Sequence, residues 1–325
     1  MVKSKFWKQQ LKHLPQMSNI PAWADYIELL CLLDIDKQVN RAEVKDVIEE
    51  GKDLGEASST GNQPRGAAQR DDLQATRVDD YFRQLEFRAG SYSDSYPFKL
   101  SARGETLRLK TAGRSNHYLY LFLLLSSNLQ YFDKYEKRLT RAFELLSHAA
   151  MKEMLPRKAQ IHLFGSSNPR MKKYPGNKYT KITALAKDLN TTLKIDEKTF
   201  SKTDVGDAGL DIVGWVPSKD TNSHVLTYFA QCACTEDWIT KQHSSSYDAW
   251  NPIIELHTHP MNLAFIPYCF RSSNGDWKNK TQIHNSVLFD RLRLVRVLAE
   301  KRRLVASEIP KDILKNLLTA QAMVQ

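Results

Sequence analysis

Two acids flank a glycine-rich turn in Gly206-Asp207-Ala208-Gly209-Leu210-Asp211-Ile212-Val213, and the second of them is set among apolar residues of strand character. A buried carboxylate without a partner is expensive, so Asp211 must be paired, hydrogen-bonded or coordinated to a metal. A second run, Leu226-Thr227-Tyr228-Phe229-Ala230-Gln231-Cys232-Ala233, also reads as a strand, and the polar segment Ser218 to Ser223 between the two reads as a turn. A hairpin centred on Thr221 places Asp211 directly opposite Gln231, on one face, with Cβ atoms roughly 5 Å apart. The pair lies at the open end of the hairpin. A carboxylate, an amide oxygen and a nearby backbone carbonyl at Cys232 suit a hard divalent cation such as Mg²⁺ or Mn²⁺, which keeps several waters, one of them a possible nucleophile. The plainer account is that Asp211 caps a turn and Gln231 only ends a strand.

Other chemistries find less support. Cys232-x-Cys234 and His257-x-His259 could in principle surround zinc, but neither has the usual spacing of such sites. No GxSxG elbow, Walker A loop, GxGxxG turn or kinase signature occurs, so neither serine-hydrolase nor ATP chemistry is encoded in recognisable form. The four cysteines include no CxxC pair, which points to a reduced, cytoplasmic setting rather than a disulfide framework. Met1 to Trp7 carry no signal-peptide pattern, and the longest apolar run, Tyr118 to Leu125, is too short to span a bilayer.

The glycine-rich turn, the aspartate and the strand ending in Gln-Cys together resemble the core of PD-(D/E)XK nucleases, and most closely the Mrr-type restriction endonucleases. Phe143-Glu144 matches the Phe-Glu pair that this family carries early in the helix before its core sheet. The resemblance covers residues from Phe143 to near Lys241. It implies a restriction-endonuclease-like sheet in which Asp211 is the principal metal ligand, Gln231 replaces the usual acidic ligand and Glu144 completes or orients the site. Asp207 matches the first acid of the glycine-rich motif, in a turn-stabilising or a direct role. The chain departs from the pattern at Ala233, where the family has a lysine that would stabilise the charge building on the phosphate. Thr235 is a suitable N-cap for a following helix, with Glu236 and Asp237 in its first turn. Lys241, less than two turns in, could swing back as the substitute cation, or be an ordinary surface lysine.

The elements that must hold these residues are legible in outline. Residues 1 to about 50 read as helical, 51–72 as a polar loop or mobile linker, and Val78 to Gln84 as a short helix. Tyr96 to Leu100 and Thr106 to Lys110 alternate like strands around Gly104. Tyr118 to Phe132 and Asp133 to Met154 read as long helices, Ala159 to Gly165 as a strand, and Asn177 to Leu189 as a helix. A helix is expected after Thr235, a strand over Ala264 to Phe270, a basic helix over Thr281 to Arg303 and a last helix from Pro310. The fold expected is α/β, of α+β type with a mixed sheet. A mainly helical N-terminal region spans 1–130, the nuclease-like domain 131–305 and a C-terminal helix 306–325.

Hydrophobic residues make up 42% of the 325, enough for a real core, and 47 Lys and Arg against 37 Asp and Glu leave a net charge of +10. A basic balance favours polyanionic partners through counterion release. Arg170, Lys172 and Lys173 lie in a loop and Arg291, Arg293 and Arg296 on the basic helix, as candidate phosphate contacts or as ordinary solvated faces. The expectation is therefore a cytoplasmic, Mg²⁺- or Mn²⁺-dependent DNA endonuclease. By family analogy it would serve restriction or antiphage defence, possible partners being DNA and a companion ATPase or helicase, with no membrane. A non-catalytic subunit that keeps the fold but binds DNA or assembles a complex is the other expectation, and Ala233 is the residue that favours it. RNA as the substrate is a third.

Overall fold

A computed structural model describes residues 11, 13–53, 67–110, 115–165, 173–201, 203–204, 206–301 and 307–318. The chain forms two compact units. The first comprises residues 1–124, 269–278 and 311–325; the second comprises 125–268 and 279–310. The boundary lies near the one expected at 130, but the C-terminal helix and a ten-residue excursion both belong to the first unit.

The first unit contains α1 (Ile20–Leu33), β1 (Gln38–Asn40), α2 (Arg41–Asp53), α3 (Ala67–Tyr92), β2 (Phe98–Leu100), β3 (Thr106–Leu109) and most of α4 (Ser115–Ser126). The three strands form an antiparallel sheet in the order β1-β3-β2. Helix α3 is much longer than the expected Val78–Gln84. Val78, Tyr81, Phe82 and Leu85 form its buried stripe, and no proline interrupts the sequence on either side. The ends of the polar 51–72 segment are helical rather than looped, while 54–66 lie outside the described residues. Buried at the centre are Asp25, Glu28 and Arg88. Arg88 Nη1 stands 2.7 Å from Asp25 Oδ1 and 2.9 Å from Glu28 Oε2. The Tyr96 and Tyr120 hydroxyls each donate to Glu28 at 2.8 Å.

The second unit is built on a five-stranded mixed sheet in the order β4-β5-β6-β7-β8, comprising β4 (Gln160–Leu163), β5 (Ile212–Val216), β6 (Leu226–Cys232), β7 (Met261–Phe265) and β8 (Val287–Phe289). β4, β5 and β6 are antiparallel neighbours; β6, β7 and β8 run parallel. Helix α5 (Glu136–Met154) packs on β4 and β6 and meets α9 (Arg291–Leu298). Its buried Leu139, Ala142, Phe143, Leu146, Ala149 and Ala150 make an amphipathic stripe. Opposite it, Ile182, Leu185 and Ala186 of α6 (Lys178–Asp188) join Val213, Trp215, Phe229 and Trp250 in a second core. Asn177 caps α6 by accepting from Thr180 N.

Three expectations are corrected here. Among the described residues of the helix expected over Thr281–Arg303, only Arg291–Leu298 are α-helical, because Val287–Phe289 pair with β7 as an edge strand and Asp290 caps the helix by accepting from Arg293 N; 302 and 303 lie outside the described residues. The strand expected over Ala264–Phe270 occupies Met261–Phe265. Between Thr235 and β7 the chain makes only two single-turn helices, α7 (Trp238–Lys241) and α8 (Tyr247–Trp250). The residue at the α7 cap is Asp237, which takes the hydrogen bond of the Thr235 hydroxyl.

Candidate active site at the end of the mixed sheet

The β5–β6 ladder runs Ile212↔Ala230, Val213↔Phe229 and onward to Val216↔Leu226, the register of a hairpin centred on Thr221. One step beyond it, Asp211 brackets Gln231. Its N–H donates to Ala230 O at 3.0 Å, and its Oδ2 accepts from Cys232 N at 2.6 Å. Residues 211 and 231 are thus adjacent across the hairpin, but their side chains are engaged differently. The Asp211 carboxylate turns to the backbone of Cys232, while Gln231 Oε1 lies 3.2 Å from Ser244 Oγ and its Nε2 3.5 Å from Cys232 O.

Glu144 reaches the same end of the sheet from α5. Met151 lies over the middle of β5, where a methyl group on Gly214 would stand 2.9 Å from its Cε. Seven helical residues earlier comes Glu144, and three strand residues before Gly214 comes Asp211; both intervals are about 10 Å. The common focus is Gly165, just past β4. A methyl group built there would lie 3.5 Å from Asp207 Oδ2, 3.6 Å from Asp211 Oδ1 and 4.0 Å from Glu144 Oε2. Each aspartate divides its oxygens in the same way. Asp207 Oδ1 accepts from Gly209 N at 2.9 Å and Asp211 Oδ2 accepts from Cys232 N, leaving the other oxygen of each toward Gly165.

The electrostatics follow from this crowding. Burial, reinforced by the Glu144 and Asp207 carboxylates, raises Asp211 well above the usual aspartate range, against the opposing pull of Cys232 N–H and Lys241. Cys232 and Cys234 are both raised well above a normal thiol, first by burial and then by Asp211 and Glu144. Lys241 is on the rim. Its ammonium stands 3.0 Å from Asp237 Oδ2 and 3.4 Å from the Thr235 hydroxyl, yet its charge is felt at Asp211 and Cys234. Among the described residues, no group of three or more His, Cys, Asp or Glu side chains is arranged so as to hold a metal ion. The histidines of the His257-x-His259 pair stack on His224 and Tyr247 instead.

The candidate phosphate contacts fare unevenly. Arg291 is fully buried, its Nε donating to Pro267 O at 2.8 Å and its Nη2 to Ser127 Oγ at 2.7 Å, so the outward role expected for it is corrected. Arg293 is half-buried and donates to Leu288 O at 2.7 Å. Arg296 is exposed. Lys173 is exposed, pairs with Asp188 at 2.7 Å and lies 4.5 Å over the Trp215 ring. Arg170 and Lys172 lie outside the described residues.

Sequence reasoning missed Gly165 and Ser244. Gly165 read only as the residue ending a strand, although a glycine at a strand end is also where side chains from elsewhere can converge. Ser244 sits in a run of three serines, and nothing local marks its partners. No family model matches the chain, and neither does any curated protein or solved structure.

Proposed function

We propose that the second unit is a metal-dependent nuclease domain that hydrolyses phosphodiester bonds in DNA, with Asp211, Glu144 and Asp207 at its centre. The observation that carries this reading is the convergence of three carboxylate oxygens, each within 4.0 Å of one point beside Gly165. Hard oxygen donors of this kind fit Mg²⁺ or Mn²⁺, which need only one or two protein carboxylates because they retain water. Asp211 and Asp207 each accept a backbone N–H at one oxygen and turn the other toward Gly165, where it could take part in ligation. A bound ion of this class would supply Lewis acidity and a water of lowered pKa. Gln231 and the Cys232 carbonyl would add oxygen ligands from β6. Lys241 would face the departing charge from the rim, released from Asp237, in place of the lysine that Ala233 lacks. The net charge of +10 supports a polyanionic substrate. A defence role, and a companion ATPase or helicase, rest on the family resemblance alone.

The test is cleavage of plasmid, linear duplex and single-stranded DNA, and of RNA, with Mg²⁺, Mn²⁺ or EDTA. Metal-dependent cutting of DNA that Asp211→Ala abolishes is the expected outcome, and cutting of RNA alone would reassign the substrate. Ala233 favours a second reading, a nuclease-fold subunit that binds DNA without cutting it. Salt-sensitive DNA binding with no cleavage under any metal would select it. Full activity in Lys241→Ala would remove the role given to that lysine.

A further inference from the structure

Three carbonyl-type oxygens surround the Ser244 hydroxyl. Its Oγ is 2.6 Å from Lys241 O, 2.9 Å from Gly209 O and 3.2 Å from Gln231 Oε1. A serine hydroxyl has one proton to donate, so it cannot serve three acceptors. The two backbone carbonyls are fixed. The Gln231 amide is not, because its oxygen and nitrogen are interchangeable by a half-turn whose sense must be judged from the hydrogen bonds. Turned over, Gln231 Nε2 donates to Ser244 Oγ and the hydroxyl proton is shared by two carbonyls instead of three acceptors, at the loss of the long 3.5 Å bond from Nε2 to Cys232 O. The same half-turn carries Oε1 to the place 3.5 Å from Cys232 O. Two acceptor oxygens then face each other with no proton between them, an arrangement that a cation stabilises.

We infer that Ser244 is a positioning residue that anchors the Gln231 amide nitrogen and so aims its oxygen, together with the Cys232 carbonyl, at a divalent cation. Its other contacts fit the role. Gly209 packs so closely that a methyl group on it would lie 2.4 Å from Ser244 Cβ. Ser244 therefore ties together the acidic turn, the end of β6 and the last residue of α7, which are the three segments carrying Asp211, Gln231 and Lys241. The inference rests on the metal-dependent nuclease reading and assigns a part in it to a side chain that need not touch substrate.

The experiment measures Mn²⁺ affinity by titration calorimetry, and cleavage at saturating Mn²⁺, for the full chain and for Ser244→Ala, Gln231→Ala and the double variant. Melting of each is followed to exclude unfolding. Losing the residue that orients a ligand weakens metal binding by about 10- to 100-fold. Ser244→Ala should show that loss, with cleavage largely recovered at saturating Mn²⁺. It should add nothing further in the Gln231→Ala background, and Ser244→Thr, which keeps the hydroxyl, should restore affinity. Unchanged affinity in Ser244→Ala, or equal losses from Ser244→Ala with and without Gln231, overturns the inference while leaving the nuclease reading intact. If Ser244→Ala unfolds, Ser244→Cys, which keeps the size and most of the packing, is measured in the same cycle under the same criteria. A wild-type chain that binds no Mn²⁺ overturns both.

Discussion

At the scale of single residues, the decisive fact is that Asp211 is buried beside two other acids. Its pKa is raised from the ordinary 3.8, so the folded chain holds this proton more tightly than the unfolded chain does. The stability tied to Asp211 is therefore whole below about pH 4 and is lost as the pH rises through the raised value. Asp211→Asn keeps an acceptor for Cys232 N–H and removes the charge. The variant should be more stable than wild type at neutral pH without metal, by about 1 kcal/mol or roughly 2–4 °C, with the advantage vanishing in acid. Melting curves across pH check this, and a variant that is less stable at neutral pH would mean that the cluster is not repulsive. The same substitution should abolish Mn²⁺ binding. In wild type that binding should release protons, seen as a dependence of the calorimetric heat on the buffer's ionisation enthalpy. Asp211 could be picked out in the sequence because an acid in an apolar run needs a cause, and Glu144 because of the family's Phe-Glu pair. Ser244 and Gly165 could not, because their significance lies wholly in contacts with residues remote in sequence.

At the scale of elements, the hairpin register was legible because the turn length fixes which residues face each other and apolar alternation fixes the face. The edge strand β8 was not. Val287-Leu288-Phe289 is too short to show a period, and it precedes a strongly basic helix whose pattern reads backward through it. The short helices after Thr235 escaped for a similar reason, as capping signals set a start but not a length. The glycine-rich turn is the element on which the site depends most. Gly209 has φ +77° and stands against Ser244. Gly209→Ala must place a side chain in the left-handed region, at about 1–2 kcal/mol, and force Ser244 aside, at about 1–3 kcal/mol. A destabilisation of the second unit by about 2–4 kcal/mol is expected in denaturant unfolding, with metal-dependent activity lost even where the protein stays folded. An effect below about 0.5 kcal/mol, the level of ordinary surface changes, would show that the turn relaxes freely.

At the scale of the whole molecule, the interleaving of strands and helices conveyed the class of fold and composition the basic charge, whereas the division into units threads the chain back twice into the first unit, which no local pattern could reveal. Among the described residues no helix is long and apolar enough to cross a membrane. Each unit encloses its own buried side chains, and the first is organised around charge as well as apolar packing. Arg88 pairs with both Asp25 and Glu28 where water cannot reach, and the Tyr96 and Tyr120 hydroxyls donate to Glu28 as well. Removing one member of such a network strands the others as buried charges, at about 3–5 kcal/mol, whereas neutral replacement of all members together can be close to neutral. Arg88→Met should therefore destabilise the first unit by about that amount. Hydrogen exchange should rise across α1 and α3 and stay unchanged along β5 and β6. The triple variant Arg88→Met, Asp25→Asn, Glu28→Gln should recover most of the loss, because no uncompensated carboxylate remains. A triple variant as unstable as the single one would show that the guanidinium acts through shape and packing rather than through charge, and would remove the electrostatic account of this core.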